Sequence, residues 1–191
     1  MHYRSAKAFI LGRLGRELSP QLRYHGLRHT LDVLRMATSL CLSEGIRGRN
    51  LKLVKTAALF HDSGFVHNRH AGHEQEGCSI VRSSLPEFGY GKEDIELICG
   101  MILSTKIPQS PTTLMERILY DADLDYLGRT DFEKIGNDLF LELMSYNLIT
   151  DEYAWNQLQV TFLTDHRFHT QTNVALWEPI KLSYLKRQEV S

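Results

Sequence analysis

Cysteine is scarce in this 191-residue sequence. Cys41, Cys78 and Cys99 stand apart with no CxxC pair, which argues against a disulfide framework and against a thiolate zinc site. Neither sign of charge is in excess. Lys and Arg number 22 against 23 Asp and Glu, so the basic surplus that draws a domain onto nucleic acid is missing, and no nucleic-acid partner is expected. No run approaches the roughly 18 to 20 uncharged apolar residues of a membrane span. The first ten residues carry Arg4 and Lys7 and lack the apolar stretch of a signal peptide. The expectation is a soluble, cytoplasmic chain. There is no Walker pattern, no GxGxxG and no GxSxG turn, and Gly89-Tyr90-Gly91 reads as a plain turn. What stands out is histidine: nine of them ask for a chemical explanation.

Alternating strand-like runs are also missing, and apolar residues recur at helical spacing nearly throughout. The pattern predicts an all-α fold of eight to nine helices in one domain over residues 1–191. Helices are expected over residues 3–18, from the Tyr24-His25-Gly26 loop to Glu44, over 51–62 behind an Asn50 N-cap, and over 74–85. Further helices are expected over 92–105, from Ser110-Pro111 to Leu127, and from a Thr130/Glu133 capping box. The last two span 150–168 and 171–187, with Pro179 kinking or splitting the second.

The informative residues interrupt apolar stripes. On the second helix Arg28, Asp32, Arg35, Ser39 and Ser43 form the wet face, while His25 and His29 align with Val33, Met36 and Leu40. His61 falls in the stripe of Val54, Ala57 and Ala58. Asp62 sits where the helix dipole disfavours a carboxylate. It either faces water at a chain reversal or has a cation beside it. In Asp121-Ala122-Asp123-Leu124-Asp125, Arg117 and Arg129 stand four residues from the outer two acids. Asp123 has apolar neighbours only. Two imidazoles and two carboxylates, His29, His61, Asp62 and Asp123, suit one divalent ion such as Mn²⁺, Fe²⁺, Ni²⁺, Zn²⁺ or Mg²⁺.

These residues resemble the H…HD…D pattern of the HD superfamily of metal-dependent phosphohydrolases. The matching segments are Tyr24-His25-Gly26-Leu27-Arg28-His29-Thr30, Ala57-Ala58-Leu59-Phe60-His61-Asp62-Ser63-Gly64 and Asp121-Ala122-Asp123. They lie within a motif core over 22–128, followed by C-terminal helices over 130–191. The resemblance implies an HD-domain helical bundle with those four side chains around one ion. It also implies hydrolysis of a phosphate ester, with a small phosphorylated substrate such as a nucleotide and water activated at the metal. Asp62 would orient or accept the water's proton. His25 is similar in placement to a general acid of cyclic-nucleotide phosphodiesterases; alternatively it only orders its loop.

A second ion is held in some members by histidines after the dyad, where His73 and His70 are the candidates and His67 lies nearby. The alternative for His67 and His70 is exposure in a loop. The stretch Ile102 to Lys106 has no histidine to complete such a site. Lys106 either meets a phosphate or caps its helix in water. His166 and His169 either close over the cleft or terminate a helix. Two other activities share the superfamily: non-catalytic nucleotide or partner binding in signalling, and di-iron oxygenation. The sequence leaves the oligomeric state open.

Overall fold

In the computed structural model, which describes residues 1–67, 70–108 and 110–188, the described residues form ten α-helices and no strand. The helices are α1 (Tyr3–Glu17), α2 (Leu27–Ser43), α3 (Gly48–Phe60), α4 (His73–Ser84) and α5 (Lys92–Leu103). Then come α6 (Leu114–Asp123), α7 (Phe132–Ser145), α8 (Glu152–Asp165), α9 (Gln171–Leu176) and α10 (Glu178–Gln188). Three short 3₁₀ segments, Ser63–His67, Leu85–Phe88 and Asp125–Gly128, link them. None of the helices is long and apolar enough to cross a membrane.

Helix α2 packs chiefly on α3 and α6, the pairing that brings the H, HD and D segments together. Ala37, Leu40, Ala57, Phe60, Ile118 and Leu119 are buried there in the larger core, which α1, α4 and α5 complete. A second cluster joins Tyr24, Tyr120, Tyr126, Phe132, Leu163 and Phe168, and so ties the C-terminal helices to the end of α6.

Several boundaries differ from expectation, each for a local reason. Helix α3 starts at Gly48 rather than behind Asn50. Arg47 leaves α2 in an extended conformation and its guanidinium takes up the orphan carbonyls of Cys41 and Leu42, satisfying one helix end while opening the next. Helix α6 opens at Thr113, not at Ser110-Pro111, because Thr113 and Glu116 form a reciprocal capping box. It also stops at Asp123, with the remainder to Gly128 tightened to 3₁₀ geometry. Helix α7 is led by Asp131 rather than by a Thr130 box, since Arg129 grips the Asp131 carboxylate. Asp151, accepting from the Ala154 amide at 2.8 Å, caps α8 in place of Thr150. The final segment is split at Trp177, two residues before Pro179, as a proline without a free N–H requires.

Candidate metal centre

Four side chains from three helices and one turn meet beneath α2. His29 is in the first turn of α2, His61 caps the C-terminus of α3, Asp62 is the next residue, and Asp123 ends α6. His61 Nδ1 lies 2.9 Å from the Ala58 carbonyl. It donates there, which leaves Nε2 facing inward as the ring atom available to a cation or a proton. That atom is 3.3 Å from His29 Nε2, 3.1 Å from Asp62 Oδ2 and 3.4 Å from Asp123 Oδ1. His29 Nε2 is 2.9 Å from Asp123 Oδ1 and 3.4 Å from Asp62 Oδ2. Ligand atoms about 2.0–2.2 Å from a common ion stand about 2.8–3.6 Å from their neighbours in octahedral or tetrahedral order, and these spacings, 2.9 to 3.4 Å, fall in that range.

The electrostatics point the same way. His61 is fully buried and Asp62 nearly so. Burial disfavours charge on His61, yet the Asp62 and Asp123 carboxylates outweigh it and raise the imidazole well above its ordinary pKa. Burial pushes the two acids upward, but His61 and His29 beside them draw both well below the usual carboxylate range. A buried Asp62 carboxylate with the partly buried Asp123 beside the same rings demands positive charge, from protons on the rings or from a cation. Asp62 Oδ2 is buried with no hydrogen-bond partner. The donor atoms of His29, His61 and Asp123 all lie close enough together to hold one divalent ion, and Asp62 Oδ2 stands beside both imidazoles.

A second layer lies on the far side of Asp62. His73 Nδ1 donates to the His70 carbonyl at 2.8 Å, and its Nε2 is 3.6 Å from Asp62 Oδ1 and 3.7 Å from Glu74 Oε1. His70 is not an exposed loop residue: its side chain is 18% accessible, and Nε2 lies 3.9 Å from Glu142 Oε1. Burial lowers the pKa of the His70 ring. His25 Nδ1 is 2.5 Å from the same Glu142 oxygen. His25, His70 and Glu142 therefore make a second group whose donor atoms could hold an ion. Burial opposes charge on His25, but the hydrogen bond to Glu142 prevails and raises its pKa.

Glu142 was not foreseen. It is fully buried on α7 and also accepts the backbone amides of Tyr24 and His25, at 2.8 and 3.0 Å. The available signal was an acid inside Leu139-Phe140-Leu141-Glu142-Leu143-Met144. Other expected residues lie elsewhere. His67 pairs with Glu76 at 3.1 Å, and both are well exposed. Lys106 is exposed and is not among the residues lining the cavity beside His29. His166 is buried at the C-terminus of α8, where Lys181 meets its ring and its carbonyl, so its role is structural. The amide of His169 donates to Asp121, which also accepts from the Thr170 amide and hydroxyl. Asp121 thus anchors the segment leading into α9, which Thr170 caps by accepting the Asn173 amide, and the expected partner Arg117 reaches the Thr112 carbonyl instead. Asp125 does pair with Arg129, at 3.2 Å.

Residues 26–125 match the HD domain family model. The chain belongs to the HD domain family. A protein from Clostridium beijerinckii is 32% identical over 101 residues, covering 52% of this chain and 62% of that relative, so the match spans under two thirds of the relative's length. Two solved structures share the fold. One is Bacillus subtilis YpgQ in complex with ADP (20% identity, TM-score 0.64, covering 98% of this chain and 96% of that one). The other is a predicted HD superfamily hydrolase from an uncultured Thermotogales bacterium (21%, 0.60, 96% and 91%).

Proposed function

We infer that this protein is a metal-dependent phosphohydrolase acting on a phosphate ester of a nucleotide. The observation that carries the reading is the convergence of His29 Nε2, His61 Nε2, Asp62 Oδ2 and Asp123 Oδ1, with the pairs involving histidine spaced 2.9 to 3.4 Å apart. These four would hold one divalent ion. Such an ion, when bound, polarises a phosphoryl oxygen and brings the pKa of a coordinated water from about 15.7 toward neutrality. That Bacillus subtilis YpgQ, a protein of the same fold, was solved in complex with ADP supports the nucleotide.

The chain's own groups supply the rest. Asp62 divides its labour: Oδ2 faces the two Nε2 atoms, and Oδ1 faces His73, ready to orient the attacking water. His25 has Nδ1 committed to Glu142, so its Nε2–H is the proton available to a departing oxygen. Phe65 stacks on the rings of both His25 and His73 at 4.3 and 4.2 Å, holding them in place with an apolar surface.

The test is turnover of a panel of phosphate mono- and diesters and nucleotides with Mn²⁺, Ni²⁺, Fe²⁺, Zn²⁺ or Mg²⁺. The expected result is metal-dependent hydrolysis of at least one nucleotide, abolished by chelator and by Asp62→Asn. Activity that survives in Asp62→Asn, or no turnover of any ester with any ion, contradicts the reading.

A further inference from the structure

Beside His29 a cavity of about 290 Å³ opens along the outer face of α2. Four arginines line it, Arg23, Arg28, Arg35 and Arg129, together with Asp32 and Asp138. The arginines are not equivalent. Arg129 is spent on structure: its guanidinium contacts Asp32 at 2.6 Å, Asp125 at 3.2 Å and Asp131 at 2.7 Å. Arg35 is held by the other oxygen of Asp32 at 2.6 Å. Arg28 has only Asp138 at 4.0 Å, beyond hydrogen-bonding distance, and its side chain is 70% accessible. Arg23 is exposed and has no ion pair or hydrogen bond among the described residues.

Two uncommitted guanidiniums therefore stand at a cavity that shares a wall, His29, with the metal centre. Leu31, Asp32 and Arg35 stand three, four and seven residues after Arg28 on α2, so this wall runs for about 10 Å along the helix. Such a length exceeds what one phosphoryl group at the ion fills. A planar guanidinium with paired N–H groups matches phosphate oxygens better than a weakly placed carboxylate such as Asp138 does, and a phosphate would displace that contact.

We propose that Arg23 and Arg28 form a subsite for the non-scissile phosphates of a di- or triphosphate chain, making the substrate a polyphosphate ester rather than a simple monophosphate. This deepens the phosphohydrolase reading and rests on it for the position of the scissile group. The subsite itself is a binding property and is measured without turnover.

The experiment is calorimetric titration of Mn²⁺-loaded protein with inorganic tripolyphosphate, pyrophosphate and orthophosphate, for the wild type, Arg23→Ala, Arg28→Ala and the double variant. Both arginines are exposed, and circular dichroism checks that the variants fold. Tripolyphosphate should bind at least about tenfold more tightly than orthophosphate, and each substitution should weaken it by about tenfold while orthophosphate affinity moves less than about twofold. Equal affinity for the three anions, or substitutions that weaken all three alike or none, overturns the proposal. Arginine-dependent tripolyphosphate binding without hydrolysis of any ester supports the subsite while removing the hydrolase reading. Hydrolysis of monophosphates alone, indifferent to both arginines, does the reverse.

Discussion

His25 Nδ1 and Glu142 Oε1 lie 2.5 Å apart although 117 positions separate them in the chain. The contact joins the loop before α2 to a helix that begins after the segment matched by the family model. Glu142 is fully buried and serves three donors at once: the His25 ring and the amides of Tyr24 and His25.

Removing that carboxylate strands all three donors. Glu142→Ala should cost about 2–4 kcal/mol of unfolding free energy, because unsatisfied buried groups bear their full desolvation penalty. Glu142→Gln, which keeps the acceptor oxygen, should lose less. Urea denaturation of the two variants checks the order; equal and negligible losses would count against this linkage.

Gly64 makes a second prediction about stability. A Cβ there would lie 2.0 Å from the His73 carbonyl oxygen and under 3 Å from two further backbone atoms. No side-chain rearrangement relieves a backbone clash, so Gly64→Ala should destabilise the fold by about 2–4 kcal/mol or prevent its accumulation. Gly15→Ala, inside α1 where nothing lies within 4 Å, is the contrasting control and should raise the melting temperature slightly, since alanine is favoured in a helix by about 0.5–1 kcal/mol.

The legibility of these features in the sequence divides along physical lines. The convergence of His29, His61 and Asp123 had a sequence signal because His61 falls in an apolar stripe and Asp123 lacks a local cation, and one helical period suffices to see that. The crowding at Gly64 was not legible, since it depends on where α4 returns. Glu142 and Lys181 escaped notice because their partners lie in distant or succeeding segments. Lys181 is fully buried, yet its Nζ is satisfied by Glu178 at 2.8 Å and by the His166 carbonyl. Asp121 was misread for a related reason: Arg117 stands at the right spacing, but burial against Thr170 wins. Helix ends moved by a few residues wherever two caps competed, as at Ser110 and Thr113.

The acid side of the stability profile should report His166. Burial and the neighbouring Lys181 lower its pKa from 6.5 to about 3. Because the folded value lies below the unfolded one, its contribution is complete above about pH 6.5 and is lost as the pH falls toward 3. Between neutrality and pH 5 the loss should reach roughly 2 kcal/mol. Urea denaturation across that range should show a shallower slope for His166→Asn than for the wild type. Parallel slopes would remove His166 as the cause.

Metal binding should stabilise the fold by mass action, since the four ligand atoms converge only in the native state. Saturating Mn²⁺ should raise the melting temperature of the wild type, and Asp62→Asn or His61→Ala should abolish the rise. A metal-induced shift that persists in both variants would place the ion elsewhere.

The most direct measurement of the central claim is an anomalous difference map from crystals grown with Mn²⁺. The account predicts a peak coordinated at about 2.0–2.3 Å by His29 Nε2, His61 Nε2, Asp62 Oδ2 and Asp123 Oδ1. A well-ordered protein with no peak among those four atoms, at saturating manganese, would contradict it.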